Sequence, residues 1–308
     1  MSRSFSGGGF FRQLIGSSPR APAYNIGSGP TAANPDVLEF YKSLPFNYHG
    51  SAAAQADMVR GRDWVQEYPV LLPLLSPEIR VLEVGCGVGW LALSLALHHR
   101  ANVLAIDFNP VVIERAREIA SLLKLRQGIV FEVADLFRFE LAEPVDIVVS
   151  MGVLHHTNDC HGALERLCNS FVKPGGYVFV GLYHAYGRRP FLDHFARMKA
   201  AGASEEAMFA EYRRLHPELK DDTFARSWFR DQVLHPHETQ HTLTELLPLL
   251  ERCRMELRAT SINGYTPVTD YQDLERGERN LEKLGTLALN QGKYYPGFFV
   301  FLAQKRKA

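Results

Sequence analysis

The sequence lacks an excess of either charge: 34 lysines and arginines balance 34 aspartates and glutamates across 308 residues. A chain without a basic surplus has no general attraction for nucleic acid or for an anionic membrane. Cysteine is scarce as well, since only Cys86, Cys160, Cys168 and Cys253 occur and none forms a C-x-x-C pair. This spacing predicts neither a disulfide framework nor a zinc site, and we expect a reduced, cytoplasmic protein.

Long apolar runs are also missing. The stretch GFFVFLA at residues 297–303 is far shorter than the roughly 20 apolar residues that a membrane-spanning helix needs. The N-terminal stretch has no apolar core of the kind found in secretory signals. Residues 1–35 are instead rich in glycine, serine, proline and alanine, which predicts a disordered arm. We therefore expect no membrane span.

From residue 79 onwards, strand patterns alternate with helix patterns. The strand patterns lie at residues 80–85, 102–107, 129–135, 146–151, 177–183, 255–262 and 297–305. Asn109 and Pro110 suit the N-cap and first position of the helix that follows the second strand. Strands separated by helices indicate βαβ units, so the sequence predicts an α/β fold whose seven-stranded sheet is mostly parallel, with helices on both faces.

Two further regions depart from this alternation. Residues 36–78 are predicted to form lead-in helices, and about 184–240 contain helical stretches without a strand. We interpret the second region as a helical cap insertion after strand five that covers a substrate. The domain that carries it is expected to span residues 79–308.

The glycine turn after the first strand, VLEVGCGVGW at residues 81–90, is the strongest local motif. Glycines at this turn let a ligand approach the backbone. A dinucleotide site requires G-x-G-x-x-G, but the third glycine position is occupied here by Trp90. Glu83 would also repel a pyrophosphate. Both departures argue against a nicotinamide or flavin dinucleotide and suit a cationic ligand.

The E-x-G-x-G-x-G spacing resembles motif I of class I S-adenosylmethionine (SAM) methyltransferases, most closely the small-molecule enzymes of the ubiquinone and menaquinone biosynthesis type. The likeness extends over about residues 79–182, and more weakly over 241–262. It includes the segment SMGVLHHTND at 150–159 and the K-P-G-G turn at 173–176. This resemblance implies a Rossmann-like fold with SAM as its cofactor.

The resemblance also assigns roles to single residues. Glu83 would lie near the amino-acid end of SAM and Asp107 would bind the ribose hydroxyls. Phe108 would stack on adenine, and Asp135 would contact the adenine ring. The full set of cofactor-binding residues that we expect is Glu83, Gly85, Cys86, Gly87, Gly89, Asp107, Phe108, Ala134, Asp135, Leu136, Met151 and Gly152.

Candidate catalytic residues follow the fourth and fifth strands. One of His155 and His156 would face the transferred methyl group or act as a base, while the other would be structural. Tyr183 and His184 occupy the equivalent place after the fifth strand. A base is needed only if the acceptor must lose a proton.

The segment HPHETQH at residues 235–241 brings three histidines together, which could suggest a metal site. However, Pro236 fixes a turn there and Thr242 begins a helix through a capping box with Glu245. No carboxylate-rich partner motif accompanies the histidines. We therefore expect no metal.

The sequence thus predicts a SAM-dependent methyltransferase that transfers a methyl group to a small molecule by in-line displacement. An RNA or protein methyltransferase is an alternative, which a basic groove leading to the pocket would favour. A non-catalytic SAM-binding interaction protein is another, which formation of S-adenosylhomocysteine would reject. No nucleic acid partner is expected, and the sequence leaves the acceptor and the oligomeric state open.

Overall fold

The computed structural model describes residues 35–43, 46, 51–268 and 270–307. The arm predicted at residues 1–35 lies outside these residues, except for Pro35. The strands are β1 (Arg80–Val84), β2 (Asn102–Asp107), β3 (Ile129–Val133), β4 (Val145–Met151), β5 (Val172–Tyr183), β6 (Met255–Thr260) and β7 (Phe298–Lys305). The helices are α1 (Pro35–Ser43), α2 (Ala52–Gly61), α3 (Trp90–His99), α4 (Pro110–Leu122), α5 (Cys160–Arg166), α6 (Ala185–Ala200), α7 (Glu205–Leu215), α8 (Asp222–Val233), α9 (Leu243–Arg252) and α10 (Tyr271–Asn290).

The strands form one seven-stranded sheet in the order β3-β2-β1-β4-β5-β7-β6. The first five strands in this order pair in parallel, whereas β7 runs antiparallel to both β5 and β6. The predicted α/β, Rossmann-like fold with a mostly parallel sheet is therefore confirmed. The strand order reverses between β1 and β4, so the connections that leave their carboxyl ends run to opposite faces of the sheet and leave a crevice there.

Apolar side chains alternate between the two faces of the sheet. In β1, Leu82 and Val84 join the cluster beneath α5 and α9, while Val81 joins the cluster beneath α3 and α4. This period of two is what a strand buried on both faces requires. Helices therefore cover both faces, as expected, and the site-forming loops are anchored on a rigid core.

The lead-in region is less helical than its sequence predicts. Helix α2 ends at Gly61, and residues up to 75 form only short 3₁₀ turns at Trp64–Glu67 and Leu72–Leu74. Pro69 and Pro73 lie in this stretch and cannot donate the backbone hydrogen bonds that an α-helix would need. The predicted lead-in helices therefore do not extend over residues 62–75.

Three helices, α6 to α8, follow β5 and bury an apolar cluster of their own. Phe191, Phe195, Tyr212 and Phe229 form its centre, and α6 also packs against α10. The K-P-G-G segment predicted as a turn belongs to β5 itself, where it interrupts the register with β4 between residues 145 and 147. None of the helices in the described ranges combines the length and the apolar character needed to cross a bilayer.

Candidate active site

A cavity of about 620 Å³ opens at the carboxyl ends of the parallel strands. The turn after β1 and the ends of β2, β4 and β5 line it from the sheet, and side chains from α1 and α8 line it from above. Its size is within the range of about 300–1,000 Å³ that is usual for small-molecule sites. It also lies where the strand order reverses, which is the ligand position expected for this architecture.

The glycine turn forms part of the cavity wall, and its glycines serve two different purposes. Gly87 has a φ of +54°, and a side chain added there would meet no atom of the described part of the chain within 4 Å. A ligand can therefore approach this part of the backbone closely. Gly89 does not line the cavity; a side chain there would strike the Phe131 ring beneath α3. Gly89 is thus required by helix–sheet packing.

Glu83 lies near the end of β1 and is buried, with only 5% of its surface exposed. Its carboxyl group accepts a backbone hydrogen bond from Ala92 at the start of α3. The Oε2 atom has no hydrogen-bond partner among the described residues. Burial raises the pKa of Glu83 to about 8. A buried, half-satisfied acid in a cavity wall suits a cationic group, which would restore the carboxylate form.

The raised pKa of Glu83 predicts a pH dependence of stability in the ligand-free protein. The folded state holds this proton up to about pH 8, whereas the unfolded chain releases it near pH 4.3. The protonated Glu83 side chain therefore makes its full contribution to the free energy of unfolding below about pH 4.3. This contribution is lost as the pH rises towards 8. We expect Glu83→Gln to raise the melting temperature at pH 8 relative to the unaltered protein, with the difference shrinking towards pH 5. Equal shifts at all pH values, measured by calorimetric melting, would contradict this assignment.

Asp107 ends β2 and is held by two backbone amides. Its Oδ2 accepts from Gly87 N at 2.9 Å, and its Oδ1 accepts from Asn109 N at 2.9 Å. Burial raises the pKa of Asp107 to about 6 despite these bonds. Asn109, and not Asp107, caps α4 by accepting from Val111 N. The carboxylate is thus fixed in the cavity wall with acceptor positions left for a ligand.

The remaining residues expected to bind a cofactor line the same cavity. They are Gly85, Cys86, Phe108, Ala134, Asp135, Leu136, Met151 and Gly152. Asp135 is oriented by accepting a hydrogen bond from Phe137 N at 2.9 Å. Among the expected cofactor-binding residues, Gly89 alone does not line the cavity, and the structure therefore brings the others together from four separate loops.

His155 and His156 lie in a short turn after β4 and line the other half of the cavity. His156 Nδ1 lies 3.0 Å from the His237 carbonyl oxygen, so Nδ1 carries the proton and Nε2 is a proton acceptor. His155 shows the opposite pattern, since its Nδ1 accepts from Tyr183 N at 3.4 Å. Burial lowers the pKa of His156 to about 4. The pair therefore offers one neutral acceptor and one neutral donor.

The HPHETQH segment holds this histidine turn in place. His237 Nε2 donates to the Thr157 carbonyl at 2.9 Å, and Thr239 N donates to the His155 carbonyl at 2.8 Å. The His235 ring stacks on His156 with 3.8 Å between the centroids. The HPHETQH segment, whose sequence pattern predicts a turn before a helix, thus fixes the tautomer and orientation of His156.

One nitrogen each from His156 and His235 and an oxygen of Asp231 lie within 4.8 Å of one another, which is close enough to consider a metal. However, His235 Nδ1 accepts from His237 N at 3.0 Å. The proton of the neutral His235 ring is therefore on Nε2, which leaves no lone pair there for a metal. The donor set does not fit a metal ion.

A family model described as a methyltransferase domain matches residues 75–247. The chain belongs to the methyltransferase domain family. This membership confirms the resemblance inferred from the glycine turn and the motifs that follow it.

Individual relatives cover this methyltransferase domain to different extents. The ubiquinone biosynthesis O-methyltransferase of Ralstonia nicotianae is 36% identical over 126 residues, which are 40% of this chain and 48% of that protein. The malonyl-(acyl-carrier protein) O-methyltransferase of Bacillus cereus is 22% identical over 239 residues, 75% of this chain and 74% of that protein. The chain thus spans about half the length of the Ralstonia protein.

A solved structure shares the fold of the methyltransferase domain. PKMT2 from Rickettsia typhi, in complex with AdoHcy, superposes with a TM-score of 0.53 at 16% identity, covering 75% of this chain and 50% of that chain. At this level of identity the likeness concerns the fold alone.

His184, expected as a catalytic candidate of the methyltransferase domain, does not line the cavity. Its Nδ1 accepts from Tyr186 N and Gly187 N and so caps α6, and its Nε2 lies 3.2 Å from Glu278 Oε1. Both ring nitrogens are occupied and the residue is fully buried. The structure therefore gives His184 a structural role.

Asp231 is a site residue that sequence reasoning missed. It lies on α8, lines the cavity and is 4% exposed. Tyr41 donates to its Oδ1 at 2.5 Å, and the Tyr183 hydroxyl lies 3.5 Å from its Oδ2. Burial raises the pKa of Asp231 to about 6, so it remains a carboxylate at neutral pH. The position of Asp231 three residues after Trp228, on an amphipathic helix, was the sequence feature that could have indicated a site residue here.

Proposed function

We propose that this chain is a SAM-dependent methyltransferase that acts on a small-molecule acceptor. The observation that carries this proposal is a single cavity with two chemically different halves. One half presents the buried carboxyl groups of Glu83 and Asp107 beside the glycine turn. The other half presents a neutral proton acceptor, His156 Nε2. Membership of the methyltransferase domain family supports the same conclusion.

The residues of the first half fit SAM in both charge and shape. Glu83 suits its cationic amino-acid end, and Asp107 suits the paired hydroxyls of its ribose. Phe108, Asp135 and Leu136 form the wall that would receive adenine, and Gly87 allows the ligand to lie against the backbone. When bound there, SAM supplies an electrophilic methyl group on a sulfonium.

The residues of the second half would orient an acceptor and take its proton. Positioning accounts for much of the rate gain in such a displacement, and an apolar, water-poor site suits a charge that disperses. His156 Nε2 would accept the proton, because the His237 carbonyl holds the other nitrogen protonated. The imidazolium so formed would lie 3.9 Å from Asp231 Oδ1, which would stabilise it. His155 would donate a hydrogen bond and Tyr183 would position the acceptor.

Calorimetry with SAM, followed by labelling, tests this function. We expect one SAM to bind per chain, and a labelled methyl group to pass from SAM to the small-molecule fraction of a cell extract. Absence of SAM binding would overturn the proposal. Label confined to RNA or protein would favour a macromolecular acceptor, and binding without any transfer would indicate a non-catalytic SAM-binding protein.

A further inference from the structure

We propose that the acceptor half of the cavity binds a compact cationic amine, whose ammonium group is held by the Asp231 carboxylate within an aromatic wall. This inference rests on the proposed methyltransferase function and names its acceptor class. The charges that line the cavity, the contacts of Asp231 and the aromatic rings around Asp231 support this acceptor class.

The charges that line the cavity have one sign. Within the described ranges, the lining residues include five carboxylic acids and neither lysine nor arginine; the acids are Glu67, Glu83, Asp107, Asp135 and Asp231. Three of these, Glu83, Asp107 and Asp135, belong to the SAM half. An acceptor carrying a phosphate or a carboxylate would meet no countercharge in such a wall and would be repelled by it.

Arg188, whose charge acts on Asp231, is already paired with an acid. Arg188 is fully buried and does not line the cavity. Its Nε and one terminal nitrogen lie 3.1 and 2.9 Å from the Glu238 carboxylate, and its guanidinium stacks 4.1 Å from the centre of the Tyr183 ring. Glu238 offsets its charge, and the Tyr183 ring on which it stacks lines the cavity. Its other terminal nitrogen, Nη1, has no partner among the described residues, but Arg188 is not part of the cavity lining and so is not placed to anchor an anion there.

The Asp231 carboxylate can accept more hydrogen bonds than its protein contacts supply. A carboxylate offers about four lone-pair positions, and the hydroxyls of Tyr41 and Tyr183 occupy two. Both donors are neutral, and Arg188 acts on Asp231 only through space, so among the described residues no cation is in direct contact with this carboxylate. Burying such a charge is unfavourable without a partner. An ammonium group in the cavity would supply both the missing charge and the missing donors.

Aromatic rings surround the same half of the cavity. They come from α1, the turn after it, β5, α8 and the C-terminal part of the chain, and they are Tyr41, Phe46, Tyr183, Trp228, Tyr294 and Phe298. Ring faces attract ammonium groups, and several rings together recognise substituted ammonium ions. The combination of one carboxylate with several rings is selective for a cation over a neutral molecule of the same shape.

The amine must lose a proton before it can react. The ammonium nitrogen gives one proton to His156 Nε2, and its lone pair then forms the new N–CH₃ bond. The sulfonium C–S bond breaks at the same time, and its electron pair stays on sulfur. The products are the methylated ammonium, neutral S-adenosylhomocysteine and one proton, which His156 releases to water.

Thermal-shift titration of the full chain in S-adenosylhomocysteine tests the charge preference without relying on turnover. The probes are propylamine, benzylamine and phenethylamine, each compared with the corresponding alcohol and carboxylate. We expect the best amine to bind at least about tenfold more tightly than its alcohol, and the carboxylates to bind least. Asp231→Asn should weaken amine binding by about thirtyfold or more. Asp222→Asn, on the same helix as Asp231 but outside the cavity lining, is the matched control and should change amine binding little.

The outcomes separate this inference from the proposed function. If S-adenosylhomocysteine stabilises the protein but no amine binds, or alcohols and carboxylates bind as well as amines, the amine assignment is overturned and the methyltransferase proposal stands. If S-adenosylhomocysteine gives no shift, the proposed function fails first. The comparison among probes on the unaltered protein holds even if Asp231→Asn does not fold, and unchanged S-adenosylhomocysteine binding shows that this variant is intact.

Discussion

Replacing Asp107 with alanine is expected to weaken SAM binding by more than about a hundredfold. Hydrogen bonds to a charged group contribute about 1.5–3 kcal/mol each, and the carboxylate would make two of them to the ribose hydroxyls. A loss of about 3 kcal/mol or more corresponds to at least a hundredfold in Kd. The substitution also releases Gly87 N, which Asp107 holds at 2.9 Å. Calorimetric titration with SAM gives the measurement.

Asp146→Ala is the matched control for this experiment. Asp146 also lies in a parallel strand and accepts a backbone hydrogen bond, from Arg80 N at 2.9 Å. It is at the amino end of β4, on the opposite edge of the sheet from the cavity, and should leave SAM affinity unchanged. If Asp107→Ala bound SAM as tightly as Asp146→Ala, the ribose would have to lie elsewhere.

Replacing His156 with alanine should lower turnover by about a hundred- to ten-thousandfold, the usual range for losing a general base. SAM affinity should stay within about threefold of the unaltered protein, because His156 lies in the acceptor half. The rate of labelled methyl transfer and a SAM titration measure the two effects separately. A loss of SAM binding in parallel with turnover would mean that the ring shapes the whole cavity.

His161→Ala provides a histidine control that leaves the cavity intact. His161 lies on α5, close in sequence to His156, but its side chain is half-exposed and does not line the cavity. We expect its turnover to match that of the unaltered protein. If His156→Ala retained full turnover as well, the acceptor would react without giving its proton to this residue.

The meeting of the residues in the proposed cofactor half could largely be predicted, because they follow successive strands in sequence order. Glu83, Asp107 and Asp135 each come directly after or near the end of a parallel strand, and parallel strands bring such ends to one edge. The sequence could not separate the role of Gly87 from that of Gly89. That distinction depends on Phe131, which approaches Gly89 from another strand.

The acceptor half was less predictable because long-range contacts define it. Asp231 and Tyr41 are 190 residues apart in sequence, and His156 and His237 are 81 residues apart. No local pattern shows that these pairs meet. His184 illustrates the same limit, since its place at a strand end suggested chemistry while the start of α6 and Glu278 use both of its ring nitrogens.

Because His156 Nδ1 donates to the His237 carbonyl, a main-chain atom sets the tautomer of this ring and so whether Nε2 accepts or donates a proton. The side chain of residue 237 is not needed for this. A flip of the peptide plane between residues 237 and 238 would present an N–H to the ring instead, and Nε2 would then become a donor. Sequence changes in this segment could therefore turn a proton-accepting pocket into a proton-donating one while the histidine itself stays the same.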